Sequence, residues 1–399
     1  MLERRRRELL RTALFSSMSK ILVGLSGGVD SAIAAYLLKK QGLDVTCAFM
    51  RNWDAMANDD FDGNPTLNDP VCPQEADYID ALNTAKTLGL DLLRVDFIKE
   101  YWDDVFSVFL SEYKRGRTPN PDILCNRHIK FDSFLKFAND NGFDMLATGH
   151  YAALGKENDR VVLKKAVDLS KDQSYFLGEV HRDAFEHVLF PLADINKTQV
   201  REIARELGLS IASKKDSTGI CFIGERDFRR FLGNYMPMKE GRIINVSTGK
   251  PIGTHKGVFY YTIGQRKGLD IGGTGPYYCI GKSIAKNELY VADERHQSLL
   301  YSTSCLVKGV NWLADRTLPL KCAAKFRYRQ SDQDVEIRLD CDGGLMASYP
   351  QGIRSVTPGQ EAVFYDGEVV VAAGRIEQVF KDGEDLMEKV VSMAEGGAE

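Results

Sequence analysis

The sequence predicts an α/β protein: a doubly wound parallel sheet fills the first half, and short β-strands fill the second. From residue 21 onward, apolar runs of strand length alternate with segments of helical length. The first run passes into Leu25-Ser26-Gly27-Gly28-Val29-Asp30-Ser31, a Gly-rich turn that opens a helix. Beyond about Gly224 the long helical segments stop, and β-like runs separated by Gly, Asn and Pro replace them.

In order along the chain, a strand over 21–25 precedes a helix over 32–41 that Gly42 ends, and a strand follows over 45–50. A helix over 75–88 stops at Gly89, and 92–96 is a third strand. Helices cover 102–113 and about 129–139, and 145–148 is a further buried strand. This alternation implies right-handed βαβ crossovers, with ligands beyond the carboxyl ends of the strands. Three features fall at such ends, namely Ser26–Ser31, Met50 with Arg51 and Asn52, and Thr148-Gly149-His150-Tyr151. β-like runs over 242–246, 257–263, 277–280, 288–291, 321–328, 335–339, 361–365 and 368–373 predict a small β module and then a barrel or sandwich. The expected organisation is an extension over 1–19, an α/β domain over 20–224, a small central domain over 225–290, a barrel or sandwich over 291–382, for which the resemblance given below implies a β-barrel, and a loose or weakly helical tail over 383–399.

Composition bounds the function. At 399 residues the chain is long for one core, and 44% apolar with 27% charged residues is ordinary for a globular enzyme. No apolar stretch approaches the roughly 20 residues of a membrane span, so no membrane partner is expected. A net charge of −4 gives no global attraction to polyanions, so a nucleic acid must be held by local basic clusters. Eight scattered Cys with no secretory signal ahead of them point to a reducing compartment. Arg4 to Arg7 and Arg11 suggest an Arg-rich presequence, but Glu3 and Glu8 are unusual there. The reading preferred is a disordered extension or an early start ahead of Met18.

The turn at 25–31 is a phosphate cradle by its chemistry. Gly27 and Gly28 permit positive φ and close backbone approach, and the amides that open the helix face an anion with the positive end of the dipole. A Walker A loop would add a Lys for the β- and γ-phosphates; none is present, which argues against γ-phosphate transfer. A second stretch, 114–126, places Asn120 and Asp122 between and after two prolines, with Cys125 at the entrance of the next helix. A third, 213–224, sets Cys221 in a Gly-bounded polar loop after Lys214 and Lys215. Two loop thiols expected to be exposed, in a nucleotide-binding enzyme, suggest sulfur chemistry.

Ser-Gly-Gly-Val-Asp-Ser at 26–31 resembles the pyrophosphate loop of the ATP pyrophosphatases, the adenine nucleotide α-hydrolase-like fold. The whole stretch 20–380 resembles the tRNA-specific 2-thiouridylases of bacteria and mitochondria. It does so through 26–31, 49–53, 116–126, 147–151, 171–177, 216–224, 264–268 and 326–329. The resemblance implies ATP on Gly24, Leu25, Ser26, Gly27, Gly28, Val29, Asp30 and Ser31, with Met50 and Gly149 near the adenosine and Mg²⁺ on the departing pyrophosphate. It implies adenylation of the C2 oxygen of the wobble uridine, and then delivery of sulfur from a persulfide on Cys221. Cys125 would release that sulfur, by disulfide formation with Cys221 or by assisting hydrosulfide departure.

Asp122 would act as general acid/base or orient the base, with an Asx turn as its structural alternative. Asn120, Pro121 and Asp122 match the base-contact segment, and Lys171, Asp172, Gln173, Arg327 and Tyr328 match contacts to the tRNA. Arg115, Arg117, Arg127, Lys214, Lys215, Arg229 and Arg230 are phosphate candidates by charge alone. The implied partners are tRNA and a sulfur-donor or relay protein, in the cytoplasm or the mitochondrial matrix. Three alternatives remain open. Cys125, Cys221 and Asp122 are also a ligand set for an iron–sulfur cluster. A pyrophosphatase-loop amidotransferase or synthetase would leave both Cys loops unexplained, and a non-catalytic tRNA-binding protein would have no need of the phosphate loop.

Overall fold

The computed structural model describes residues 19–61, 73–216, 228–272 and 275–396. The chain divides into two compact units. One comprises Met1–Trp102 and Cys125–Arg226, the other Asp103–Leu124 and Asp227–Glu399.

The first unit is built on a parallel sheet. Its strands are β1 (Lys20–Gly24), β2 (Asp44–Arg51), β3 (Leu92–Asp96), β4 (Met145–Ala147) and β7 (Val188–Leu189), in the order β3-β2-β1-β4-β7. β1 is central and pairs in parallel with both β2 and β4. Its residues 21–24 are fully buried, which explains a strand without polar alternation. The strand order reverses between β1 and β4, so the turns leaving these two strands flank the crevice where doubly wound sheets hold ligands. Helices α1 (Val29–Lys40) and α2 (Pro73–Leu88) follow β1 and β2, while α3 (Phe134–Asp140) precedes β4 and α4 (Lys197–Glu206) follows β7. One apolar core joins Ile21, Val23 and Ile33 to Phe49, Leu192 and Val200.

The helix expected over 129–139 is longer and wider. It opens as a π-helical stretch, Cys125–Ser133, kinked at Phe131, and continues as α3. A hairpin of β5 (Ala153–Glu157) and β6 (Arg160–Lys164) follows β4. Its two-residue turn, Asn158-Asp159, takes φ 49° and 60° at the two positions, as a type I′ turn requires.

In the second unit, β8 (Gly241–Asn245), β9 (Pro251–His255), β10 (Tyr278–Ser283) and β11 (Glu288–Ala292) form a sheet in the order β10-β11-β8-β9. The strand expected over 257–263 is instead loop with a 3₁₀ turn at Val258–Tyr260. Gly257 sits at φ 152°, and the Tyr260 ring occupies the space a Cβ there would need, so the chain bends where alternation suggested extension. The barrel strands are β12 (Tyr301–Trp312), β13 (Leu320–Lys325), β14 (Gln333–Leu339), β15 (Leu345–Arg354), β16 (Glu361–Asp366) and β17 (Val369–Lys381), with a short β18 (Glu384–Asp385) paired to β17. The barrel strands run β12-β15-β14-β13-β16-β17 and close through β12–β17 pairing into an antiparallel barrel around Phe326, Ile337, Tyr349 and Phe364. The tail expected to be loose or weakly helical forms a helix, α5 (Leu386–Gly396). Leu386, Val390 and Ala394 lie one turn apart along it and are buried, and that apolar stripe outweighs the polar composition of the tail. Among the described residues, no helix is long and apolar enough to cross a membrane.

Candidate active site

The turn after β1 is shaped by what cannot fit in it. Gly27 takes φ +74°, and a Cβ there would lie 2.3 Å from the Asp77 carbonyl oxygen. Gly149, leaving β4, presses against the first turn of α1, where a Cβ would lie 2.6 Å from the Ser31 amide nitrogen. Gly28 is the N-cap of α1 and offers no side-chain hydrogen bond, so no side chain at the cap covers the first amides of the helix. Ser31 closes the turn on itself: its hydroxyl accepts from the Ser26 amide at 3.1 Å and donates to the Gly28 carbonyl at 3.0 Å. The Ser26 and Ser31 hydroxyls are 3.2 Å apart.

Gly24 and Leu25 anchor the turn from below. A Cβ at Gly24 would crowd the Phe134 ring, and Leu25 is buried with its amide donated to the Ala48 carbonyl at 2.9 Å. Val29 is buried within α1. Met50 is half-buried near the end of β2, and Asn52 just beyond has its side-chain oxygen buried without a donor among the described residues.

Asp30 stands in the first turn of α1 and is held firmly. The Tyr151 hydroxyl donates to its Oδ1 at 2.8 Å, and Lys197 Nζ donates to Oδ1 at 2.8 Å and to Oδ2 at 2.7 Å. The same ammonium lies 2.7 Å from Asp216, which also accepts from Lys171 at 2.8 Å and Arg201 at 2.7 Å. Burial opposes ionisation of Asp216, but hydrogen bonds and charge from Lys171 and Lys197 outweigh it and bring the carboxyl to about 2. Burial first, and then the neighbouring Asp30 carboxylate, push the Tyr151 hydroxyl well above its usual value.

Gln173 clamps Tyr151 from the other side, giving its amide to the Tyr151 carbonyl and accepting the Tyr151 amide on its side chain. Asp172 is buried and accepts from the Ala166 amide and the Ser174 hydroxyl. Lys214 is engaged by the turn and by α2. It bonds Asp77 and Asp80 at 2.7 Å each and the Gly27 carbonyl at 3.1 Å, so it fixes the turn from outside.

Sequence reasoning assigned no role to Lys197, Tyr151 or Asp216. The signal for Lys197 was its place after Asn196 in an Asn-x-x-Gln capping box, which the structure forms in full.

The thiol segment has a different character. Asn120 accepts the Asp122 amide at 3.1 Å, so its side chain starts the short helix Pro121–Leu124, with buried Pro121 at the first position. Asp122 is half-buried. Cys125 is buried, 2% exposed, which corrects the expectation of an exposed thiol: it opens the π-helical stretch against the core. Its neighbour Asn126 is equally buried, donates to the Phe176 carbonyl at 3.0 Å and leaves its side-chain oxygen without a donor among the described residues. Burial holds the His150 imidazole well below its ordinary value, and Thr148 Oγ lies 2.8 Å from its Nδ1. Cys221 lies outside the described residues.

In the second unit, Arg327 donates to the carbonyls of Ile263 and Ser355 and to the Thr357 hydroxyl, and Tyr328 is half-buried beside it in sequence. Several residues nominated by charge alone are already engaged. Arg117 pairs with Glu377 and Glu112, Arg127 with Glu179, and Arg229 with the Gly268 carbonyl.

A parallel sheet with an uncapped Gly-rich helix N-terminus at its switch point, followed by a small sheet and a closed β-barrel, defines an α/β enzyme of the pyrophosphatase-loop fold. Residues 19–225 match the family described as "tRNA methyl transferase HUP domain". Residues 229–293 match its "PRC-barrel domain", and 302–376 an "Aminomethyltransferase beta-barrel domain". A relative from Mycoplasma capricolum is 50% identical over 91% of this chain and 99% of its own. One from Acholeplasma laidlawii is 50% identical over 92% and 98%, and one from Listeria monocytogenes 46% identical over 92% and 97%. All three are named tRNA-specific 2-thiouridylase MnmA. The chain belongs to the tRNA-specific 2-thiouridylase family.

Proposed function

We propose that this chain is a tRNA-uridine 2-sulfurtransferase that uses ATP to replace the C2 oxygen of a wobble uridine with sulfur. The relatives align with nine-tenths of the chain and carry one thiolation name, which supports thiolation over the methyl transfer in the family names. The observation that carries the ATP step is the uncapped N-terminus of α1, framed by Gly27 and Gly149 positions that admit no side chain. Such a turn presents backbone amides to a polyphosphate and leaves room for it. Met50 and Gly149 would border the adenosine, and Mg²⁺ would arrive with the phosphates.

In this reading the uridine O2 attacks the α-phosphorus, the bond to the bridging oxygen breaks, and pyrophosphate leaves with the electron pair. A persulfide on Cys221, loaded by a sulfur-donor protein, then attacks C2 and AMP departs. Cys125 closes the cycle by attacking the Cys221 sulfur. The S–S bond breaks, the terminal sulfur stays on the base, and a Cys125–Cys221 disulfide remains for an external thiol to reduce. The burial of Cys125 supports a thiol kept from bulk oxidants until the base arrives. Asn120, Pro121 and Asp122 would meet the flipped base, Asp122 moving its proton, while Lys171, Asp172, Gln173, Arg327 and Tyr328 would serve the tRNA. Asp172 and Gln173 would do so by holding the backbone rather than by touching RNA, since their side chains are spent on Ser174 and Tyr151.

The test reads the half-reactions apart. AMP release and sulfur-35 incorporation are followed with nucleoside mass spectrometry of the tRNA. Asp30→Ala should abolish AMP formation and leave tRNA affinity intact. Cys221→Ser should accept no sulfur, and Cys125→Ser should accept it and stall, both still forming AMP. Sulfur on Cys125 but never on Cys221 would reverse the two roles. Activity that requires iron and both thiols would replace the persulfide route with a cluster.

A further inference from the structure

We infer that Lys197 is the phosphate-side cation of this site, supplied by α4 to a loop that has none of its own. The inference rests on the reading that residues 26–31 receive the phosphates of ATP. That loop contains no Lys or Arg, and its one charged residue is a carboxylate, Asp30. A bare carboxylate in the first turn of α1 would repel a polyphosphate approaching the same amides. Lys197 removes that obstacle, with Nζ 2.8 and 2.7 Å from the two oxygens of Asp30. It is held there from several sides. Its own amide donates to Asp168 at 3.0 Å, the Asn196–Gln199 capping box fixes the turn that bears it, and its side chain is only 11% exposed. Its ammonium also lies 5.9 Å from the centre of the Tyr151 ring.

The other cations nearby are committed elsewhere. Lys214 bonds Asp77, Asp80 and the Gly27 carbonyl, and Lys171 and Arg201 bond Asp216. An ammonium has three hydrogens, and Lys197 divides them between Asp30 and Asp216. Rotating the end of its flexible stem carries a hydrogen from a carboxylate to a phosphate oxygen without moving α4. Negative charge grows on the pyrophosphate as its bond to the α-phosphorus breaks, so a cation in place before the step favours the transition state over the ground state.

AMP formation, ATP affinity and thermal stability are measured for the full-length enzyme with tRNA, ATP and Mg²⁺. Lys197→Met should lower kcat for AMP formation on the order of 100-fold and raise the KM for ATP. Lys197→Arg should recover to within about tenfold of wild type, and tRNA affinity should not change in either variant. Lys197→Gln supplies the same reading should the Met variant fail to fold. Because Asp30 is itself needed for AMP formation, the double variant Lys197→Met/Asp30→Asn is read by equilibrium binding of ATP rather than by turnover. With the repelling carboxylate gone, its Kd for ATP should return from the raised value of Lys197→Met toward that of wild type. A folded Lys197→Met or Lys197→Gln enzyme that forms AMP at the wild-type rate overturns the inference, as does a double variant that binds ATP no more tightly than Lys197→Met. A wild-type enzyme that forms no AMP overturns the reading of the loop, a failure that no Lys197 variant could produce.

Discussion

Gly149 shows how a single missing side chain positions this site. Any Cβ there would meet the backbone of Ser31 and Asp30, neither of which can move without unwinding the first turn of α1. Gly149→Ala should therefore lose AMP formation and cost roughly 1–3 kcal/mol of stability, read by urea denaturation beside the AMP assay. Asp216 gives a prediction in pH. Its folded value is about 2, below the ~3.9 of an unfolded Asp, so its stabilisation is complete above pH ~4 and is lost as pH falls toward 2. Asp216→Asn should flatten the loss of stability across that window, with solvent screening keeping the effect modest. Equal acid slopes in both proteins would remove Asp216 from the acid response. The residues legible in the sequence, Gly27, Gly28, Asp30 and Ser31, lie within one turn, where spacing alone fixes geometry. Tyr151 and Lys197 meet Asp30 across 121 and 167 residues, and no local pattern encodes such a contact.

At the scale of elements, the N-terminus of α4 matters more than its length suggests. Asn196→Ala removes the side chain that caps the Gln199 amide and should cost roughly 0.5–2 kcal/mol. Because the same turn carries Lys197, the KM for ATP should rise with it. A destabilised variant with unchanged KM would separate the cap from the lysine. Between 21 and 148 the strands and helices of the first unit were readable because apolar runs and Gly stops mark them, whereas β7 and α4 were not expected. The hairpin β5–β6 was missed because Asn158-Asp159 is a less familiar turn pair than Asn-Gly. The tail was left between loose and weakly helical because its apolar stripe is three residues deep, Leu386, Val390 and Ala394, among polar neighbours. The strand expected at 257–263 failed at Gly257, whose φ only its neighbours reveal.

For the whole molecule, the sequence made the architecture legible as a parallel sheet followed by β modules, because hydrophobic period and texture change together near Gly224. A net charge of −4 means that tRNA must be held by local cations against an unfavourable overall field. Affinity for tRNA should fall steeply between about 50 and 200 mM salt, as filter binding would show. A salt-independent affinity would remove the basic residues from the RNA footprint. The order β3-β2-β1-β4-β7 carries a further consequence, one of timing. Asp30 is synthesised early, but its partner Tyr151 follows only after 121 more residues, and Lys197 later still. A growing chain on the ribosome therefore carries a complete Gly-rich turn long before it owns a complete pocket. Nucleotide can reward folding only once β4 has docked beside β1, which makes ligand binding a checkpoint on the finished domain rather than a nucleus for it.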